Sequence, residues 1–102
     1  MSKIEQLQNL LIETPTDSFL NYALALEFVK ANEHAKAEVI FDKLIRHDAN
    51  YLATYLQYGN LLAIIGNNEK AACIYEMGIK IAAAQNNIKT RQELEQALFL
   101  LD

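Results

Sequence analysis

The feature that most constrains the fold is an internal repeat with a period of 34 residues. The segment KAEVIFDKLIR, residues 36–46, aligns without gaps with KAACIYEMGIK, residues 70–80. In both copies the apolar and small residues recur every three or four positions, at 37, 40, 41, 44 and 45 and at 71, 74, 75, 78 and 79. This is the spacing of one face of an α-helix, so both segments are predicted to be amphipathic helices buried along one side.

A further helix is predicted upstream of each copy, so that each repeat forms a helical hairpin. These helices are expected at residues 18–31 and 51–65. Asn32-Glu33 follows the first of them and Gly66-Asn67-Asn68 follows the second. Residues of these types commonly end a helix and begin a turn.

Two capping signals predict one more helix at each end of the chain. Ser2 precedes Glu5, and Thr90 precedes Glu93, with the spacing of a capping box. The two helices are expected at about 3–13, where Thr14-Pro15 stops the first one, and at 90–101. Because no segment alternates apolar and polar residues as a strand does, the predicted fold is all-α with about six helices.

Charge and composition argue against several classes of protein. The net charge is -4, and no run of Lys or Arg is long enough to follow a phosphate backbone, so no nucleic acid is expected as a partner. Residues 49–68 carry no charge, but five amides interrupt them, and we expect no membrane span. The N-terminal residues lack the apolar core of a signal peptide and Cys73 has no second cysteine to pair with, which predicts a cytoplasmic protein.

Residues 3–85 resemble the tetratricopeptide repeat (TPR) family, whose unit is a 34-residue pair of antiparallel helices. That family has large, aromatic or small residues at seven positions of each unit. In the second repeat these positions hold Tyr55, Tyr58, Gly59, Leu62, Ala71, Tyr75 and Gly78. In the first repeat they hold Asn21, Leu24, Ala25, Phe28, Ala37, Phe41 and Leu44, which departs from the family at the opening aromatic and the last small residue.

The resemblance implies one domain, residues 1–102, folded as a right-handed stack of antiparallel helical hairpins, a TPR-like α-solenoid. Its expected parts are a half-repeat capping helix at 3–13, repeat one at 18–51, repeat two at 52–85 and a C-terminal capping helix at 90–101. Ala83 stands where the family has a closing proline, so the preceding helix is expected to reach Gln85 or beyond. Gly59, expected to face Ala71, would let the two helices of its hairpin approach closely, and Gly66 would end its helix.

The sequence does not predict an enzyme. His34 and His47 are expected at the surface or at helix ends, and Cys73 as a small core residue. No catalytic grouping, metal-ligand spacing or phosphate-binding glycine loop is present in the sequence, so neither a cofactor nor a metal is expected.

The resemblance instead implies a protein-protein interaction module that binds a peptide or a helical segment. The first helix of each repeat lines the concave groove in this family, and here it would present mainly apolar side chains. The expected groove residues are Phe19, Tyr22, Ala23, Leu26 and Val29 from one helix and Ala53, Leu56, Gln57, Asn60 and Ile64 from the next. The two amides could grip a peptide backbone or satisfy neighbours inside the protein.

Some relatives hold a chaperone's C-terminal carboxylate with Lys, Asn and Arg residues. Tyr22, Leu26 and Gln57 stand at the corresponding places, with Asn87 and Arg91 only if the repeat register continues. The cationic clamp is therefore largely absent, and an apolar or amphipathic segment is the expected ligand.

The C-terminal residues ALFLLD raise a structural alternative. Leu94, Ala97, Leu98 and Leu101 supply the apolar side that a capping helix needs, and Phe99 and Leu100 widen it. The surplus could bury against a second copy, so that the protein would be a small self-associating scaffold, or it could bend back into the groove.

Overall fold

The computed structural model describes residues 1–101, and within them every regular element is an α-helix. The six helices are α1 (Lys3–Glu13), α2 (Ser18–Lys30), α3 (His34–His47), α4 (Ala53–Ile64), α5 (Asn68–Ala84) and α6 (Ile88–Phe99). The all-α prediction and the number of helices are confirmed over these residues.

The chain divides into two compact units. The first, Met1–Tyr51, contains α1 packed on α2 and α2 packed on α3. The second begins at Leu52 and contains the α4–α5 hairpin with α6 packed against both of its helices. Each repeat hairpin thus lies within one unit and has one additional helix beside it.

Each hairpin buries the side predicted from the repeat. The core of the first unit consists of Leu7, Leu24, Ala25, Phe28, Ala37, Phe41 and Leu44. The core of the second unit consists of Tyr55, Tyr58, Leu61, Leu62, Ala71, Ile74, Tyr75, Ala82 and Leu94. Burying such side chains is worth about 1.5–3 kcal/mol for each large aliphatic or aromatic residue, which makes these two clusters the main source of stability.

Three helices end in the same way, with one residue in the left-handed backbone region. Asn32, Gly66 and Asn86 have φ values of 59°, 86° and 57°, and they follow α2, α4 and α5. After each, the next amide donates back to a carbonyl in the last turn of the helix, at 2.9, 2.8 and 2.9 Å. These are Schellman motifs, and they confirm the helix ends predicted at Asn32-Glu33 and at Gly66.

The end of α5 differs from its prediction by a small amount. The helix was expected to reach Gln85 or beyond, but it ends at Ala84 with Gln85 as its C-cap. The left-handed Asn86 stops it, because its amide and that of Asn87 donate to the carbonyls of Ala83 and Ala82.

The capping predictions at the two ends of the chain had different outcomes. The Ser2–Glu5 capping box is present, with both reciprocal hydrogen bonds. The prediction that Thr90 caps the last helix is wrong: α6 begins two residues earlier, at Ile88, and the side chain of Asn87 accepts the Thr90 amide at 3.0 Å. Asparagine is as good an N-cap as threonine, and α6 keeps its predicted length of 12 residues but lies two residues earlier in the chain.

In the second unit, aromatic side chains pack against the backbone at Gly59 and Gly78. A Cβ placed on Gly59 would stand 2.5 Å from Cδ1 of Tyr75, so that the ring of Tyr75 lies directly on the α4 backbone. Gly59 therefore allows the close approach that was predicted, but its nearest neighbour is Tyr75 and not Ala71. A Cβ on Gly78 would stand 2.6 Å from Cβ of Tyr55 and 3.0 Å from Cδ1 of Leu94, where α5 meets α4 and α6.

In the first unit, polar bonds hold the corresponding end of the hairpin together. The Pro15 carbonyl accepts hydrogen bonds from Nδ2 of the buried Asn21 and from Nζ of Lys43, both at 3.0 Å. Nδ2 of Asn21 also donates to the Asp17 carbonyl at 2.8 Å. The hydroxyl of Ser18 donates to Oδ2 of Asp48 at 2.6 Å and so joins the start of α2 to the end of α3.

Candidate partner-binding site

Helix α2 carries apolar side chains on its solvent-accessible side as well as on its buried side. Phe19 is 64% exposed, and Tyr22, Leu26 and Val29 are half-buried. A helix that contributes only to a core has a polar outer face, whereas α2 is apolar around most of its circumference. These residues form the solvent-accessible α2 face.

The residues predicted on α4 also remain accessible. Ala53 and Ile64 are exposed, with Ile64 at 67%, and Leu56, Gln57 and Asn60 are half-buried. These five residues form the solvent-accessible α4 face. Like α2, this helix is apolar around most of its circumference.

The two amides of α4 have different surroundings. Oδ1 of Asn60 accepts a hydrogen bond from the Tyr75 hydroxyl at 2.6 Å, so this amide satisfies a neighbour within its own hairpin. A tyrosine hydroxyl is protonated at neutral pH and can donate, and burial raises the pKa of Tyr75 further. The Gln57 side chain forms no hydrogen bond with any of residues 1–101, which leaves both its donors and its acceptor for water or a ligand.

An aromatic pair lies at the N-terminal end of the α2 face. The rings of Tyr22 and Tyr51 have centroids 5.7 Å apart and planes tilted by 58°. Burial, and secondly Tyr51, raise the pKa of Tyr22. Burial, followed by the charges of Asp17 and Asp48, raises the pKa of Tyr51.

The last turn of α6 and its C-cap present two large apolar side chains that are strongly exposed. Phe99 is 85% exposed and Leu100 is 76% exposed. Together with Glu95 and Gln96 they line an open surface cleft of about 340 Å³. Leu94, by contrast, is fully buried against the α4–α5 hairpin, so α6 covers that hairpin with one side and exposes apolar residues on another.

The histidines and the cysteine occupy the ends of one helix and the outer side of another. His34 begins α3 and His47 ends it, as predicted, but Cys73 is exposed on α5 and is not the core residue that the sequence predicted. Its position follows from the geometry of α5, whose buried residues Ala71, Ile74 and Tyr75 leave the direction of residue 73 on the outer side. No three His, Cys, Asp or Glu side chains of residues 1–101 form a group that could hold a metal ion.

No helix within residues 1–101 has both the length and the apolar character needed to cross a bilayer.

Comparison with known proteins identifies the family through solved structures. No family model and no curated protein matches the sequence. The solution structure of a tetratricopeptide repeat domain protein from Salinibacter ruber superposes with a TM-score of 0.79 and 32% sequence identity, covering 83% of this chain and 86% of that one. A crystal structure of a tetratricopeptide repeat domain protein from the same organism gives a TM-score of 0.77 and 31% identity over 81% of this chain and 92% of that one. The chain belongs to the tetratricopeptide repeat family.

More distant solved structures share the fold over nearly the whole chain. The TPR2B domain of yeast Sti1, solved in a complex with pHsp70, has a TM-score of 0.88 and 17% identity, covering 94% of this chain and 77% of that one. A Bordetella parapertussis protein has a TM-score of 0.85 and 19% identity, covering 99% of this chain and 88% of that one. These similarities confirm the TPR fold that was expected from the repeat.

Sequence reasoning did not find all the residues at the exposed end of α2. It selected Tyr22 but not Tyr51, Asp17 or Asp48, because none of these three stands at a position that the family pattern assigns to the core or to the groove. One signal was available: Asp17 has the type and position of an N-cap before the apolar run of α2, and its side chain does accept the Leu20 amide at 2.8 Å.

Proposed function

We propose that this TPR protein is a non-catalytic interaction module that binds a peptide or short helical segment of another protein. The ligand would contact the apolar groove residues expected from the sequence: Phe19, Tyr22, Leu26 and Val29 on α2, and Ala53, Leu56, Gln57, Asn60 and Ile64 on α4. The observation that carries the proposal is the exposure of Phe19 and Ile64, two large apolar side chains on the helices that already bury their other sides in the hairpin cores. Exposed apolar surface of this kind is typical of binding sites.

The Sti1 domain supports the same class of function, since its structure is of a complex with pHsp70. The ligand proposed for the present chain has a different character. Tyr22 and Leu26 replace cationic and amide residues of the carboxylate-binding relatives, so the α2 face favours an apolar or amphipathic segment over a carboxylate.

A matched pair of variants tests this proposal. Leu26→Arg places a charge on the α2 face, whereas Val39→Arg places the same charge at an exposed apolar residue of α3, which is 67% exposed. Partners captured from the native cell lysate by the parent protein should be lost with Leu26→Arg and with Tyr22→Ala and retained with Val39→Arg. Helical content should be unchanged in all three, as measured by circular dichroism. Equal retention by Leu26→Arg and Val39→Arg would contradict the use of α2 as the binding surface.

The exposure of Phe99 and Leu100 supports a second candidate, a self-associating scaffold. Two copies would bury these side chains against each other and remove about 25 cal/mol of unfavourable solvation per Å² of apolar surface. Light scattering would then show a mass that rises with concentration and returns to that of a monomer in the variant Phe99→Ser/Leu100→Ser. A monomeric mass at every concentration would exclude this candidate.

A further inference from the structure

The N-terminal end of the α2 face combines exposed apolar surface with negative charge. Phe19 is 64% exposed, and one turn further along α2 the ring of Tyr22 lies against Tyr51 at a centroid distance of 5.7 Å. Asp48 lies beside the same pair, because the Tyr51 amide donates to its backbone carbonyl at 3.0 Å. Asp17 directly precedes Ser18, whose hydroxyl donates to the Asp48 carboxylate at 2.6 Å. All of these residues belong to the first unit.

Each of the two carboxylates is held in place by one of its oxygens. Oδ1 of Asp17 accepts the Leu20 amide at 2.8 Å, and Oδ2 of Asp48 accepts the Ser18 hydroxyl at 2.6 Å. Within residues 1–101 neither carboxylate lies within 4.0 Å of a cationic nitrogen. The two carboxylates are therefore fixed in position without a direct ion pair in the described part of the chain.

Among residues 1–101, the positive groups of α3 form no ion pair with either carboxylate. The Lys43 amine donates to the Pro15 carbonyl at 3.0 Å and keeps its charge there, while Arg46 and His47 are exposed in the last turn of α3. The partial positive charge at the start of α2 is offset by the partial negative charge at the end of α3, where Asp48 is the C-cap.

We infer that this end of α2 binds a cationic side chain, a Lys or Arg next to the apolar residues of the partner segment. Its cation site consists of Asp17, Tyr22, Asp48 and Tyr51. The inference rests on the proposed function of α2 as a partner-binding surface. Aromatic faces and carboxylates both attract cations, and an arginine can stack on a tyrosine ring while it donates to a carboxylate. The site therefore selects a basic amphipathic segment from among apolar ligands.

A variant pair separates charge from structure at this site. Asp17→Asn/Asp48→Asn removes both charges but keeps side-chain oxygens that can accept the Leu20 amide and the Ser18 hydroxyl, and asparagine is as good an N-cap as aspartate. Glu76→Gln/Glu93→Gln removes the same number of charges at exposed positions of α5 and α6.

The probe is a library of random dodecapeptides displayed on phage and selected on the intact protein. The selected peptides should be enriched in Arg or Lys beside Leu, Phe or other apolar residues. A synthetic peptide from this set should bind about tenfold more tightly than its citrulline analogue, and amide chemical shifts should place it on α2. The Asp17→Asn/Asp48→Asn variant should lose most of that difference, Glu76→Gln/Glu93→Gln should keep it, and added salt should weaken only the arginine peptide.

The possible failures are distinct. Selected peptides that bind α2 but carry no excess of basic residues, or that bind equally well with citrulline, would overturn the cation site and leave the proposed function intact. Selection of no peptide above a blank surface, together with no shifts on α2 or α4, would overturn both. Equal loss of arginine binding in the two charge variants would also overturn the cation site, because it would show an effect of net charge alone.

Discussion

The two repeat hairpins bury the same side of the same helical pattern, but different interactions hold their helices together. At the end where α2 meets α3, Asn21 and Lys43 donate to the Pro15 carbonyl and Ser18 donates to Asp48. Thirty-four residues later the positions of Asn21, Ser18, Lys43 and Asp48 hold Tyr55, Leu52, Met77 and Ala82. Apolar residues in the second hairpin thus replace the residues that form these hydrogen bonds in the first.

The two hairpins also differ in the residues that stand where their helices cross. Gly59 and Gly78 in the second hairpin make room for the rings of Tyr75 and Tyr55, while Ala25 and Leu44 fill the equivalent positions of the first. The ring of Tyr55 leaves no room for a Cβ at residue 78, whereas in the first hairpin the smaller Asn21 stands at the position of Tyr55 and Leu44 at that of Gly78. The side-chain volumes at neighbouring positions of a repeat are therefore coupled. A larger residue at one position is accompanied by a smaller residue beside it.

The largest expected effect is at the tight crossing of the second hairpin. Gly59→Leu should lower the free energy of unfolding by about 3 kcal/mol or more, because even its Cβ would overlap the Tyr75 ring. Gly66→Asn is the matched control: Asn32 and Asn86 already occupy the equivalent left-handed positions, so its effect should stay below about 1 kcal/mol. Urea denaturation followed by circular dichroism measures both. A loss of less than about 1 kcal/mol for Gly59→Leu would contradict the close contact.

The next largest effect is expected from the polar end of the first hairpin. Asn21→Leu should cost about 1–3 kcal/mol, since it removes the buried amide that donates to the Pro15 and Asp17 carbonyls. Lys43→Met transplants the residue of the second repeat and removes only an exposed bond, so its cost should be below about 0.5 kcal/mol. Equal costs for the two variants would show that the buried amide is not the more important of the two donors.

A stabilising substitution is expected in the second hairpin. Thr54 is buried, and its hydroxyl has no hydrogen-bond partner within residues 1–101, whereas Leu20 stands at the equivalent position of the first repeat. Thr54→Val keeps the shape and removes the polar atom, so it should raise the free energy of unfolding by about 1 kcal/mol. Thr54→Ala, which also loses a methyl group, should not stabilise the protein. A destabilised Thr54→Val would mean that the hydroxyl contributes to folding.

The smallest effect is a pH dependence at the alkaline end. Burial raises the pKa of Tyr75, so the folded protein binds this proton more tightly than the unfolded chain does. The associated stability is complete below the unfolded tyrosine pKa of about 10 and is lost as the pH rises through the higher folded value. Tyr75→Phe should therefore lower stability at neutral pH through loss of the bond to Asn60 and should reduce the decline above about pH 10. If the stability of Tyr75→Phe declines above about pH 10 as steeply as that of the parent protein, the alkaline loss of stability comes from Tyr22 and Tyr51 instead.

Much of the fold could be predicted because its signals are local. The 34-residue period fixes the two hairpins, and Asn32 and Gly66 mark helix ends through backbone conformations that few residues adopt. Thr90 misled the prediction for α6, because Asn87 is an equally suitable cap and capping depends on which of two neighbouring residues leaves the helical conformation. Cys73 misled it as well, because residue type suggests burial but the direction of a side chain depends on the helix face.

For the candidate site, the sequence predicts the residues on the helices but not the contacts between the turns. The family resemblance selects the apolar residues of α2 and α4, and the structure leaves Phe19 and Ile64 exposed on these helices. The pairing of Tyr22 with Tyr51, and the approach of Asp17 and Asp48 to it, depend on how the turns before α2 and after α3 fold back. No periodic pattern encodes such contacts, because turn residues follow no helical period.

By itself the sequence determined the helices, their hairpin pairing and the family, since each follows from spacing, caps and turn residues along the chain. Only the tertiary structure decided that Tyr75 lies on Gly59, that Asn21 holds the Pro15 turn, and that two carboxylates stand beside a tyrosine pair. The physical reason is that backbone preferences and amphipathic faces act over a few residues, whereas close packing and charge act through space between segments that are distant in the chain.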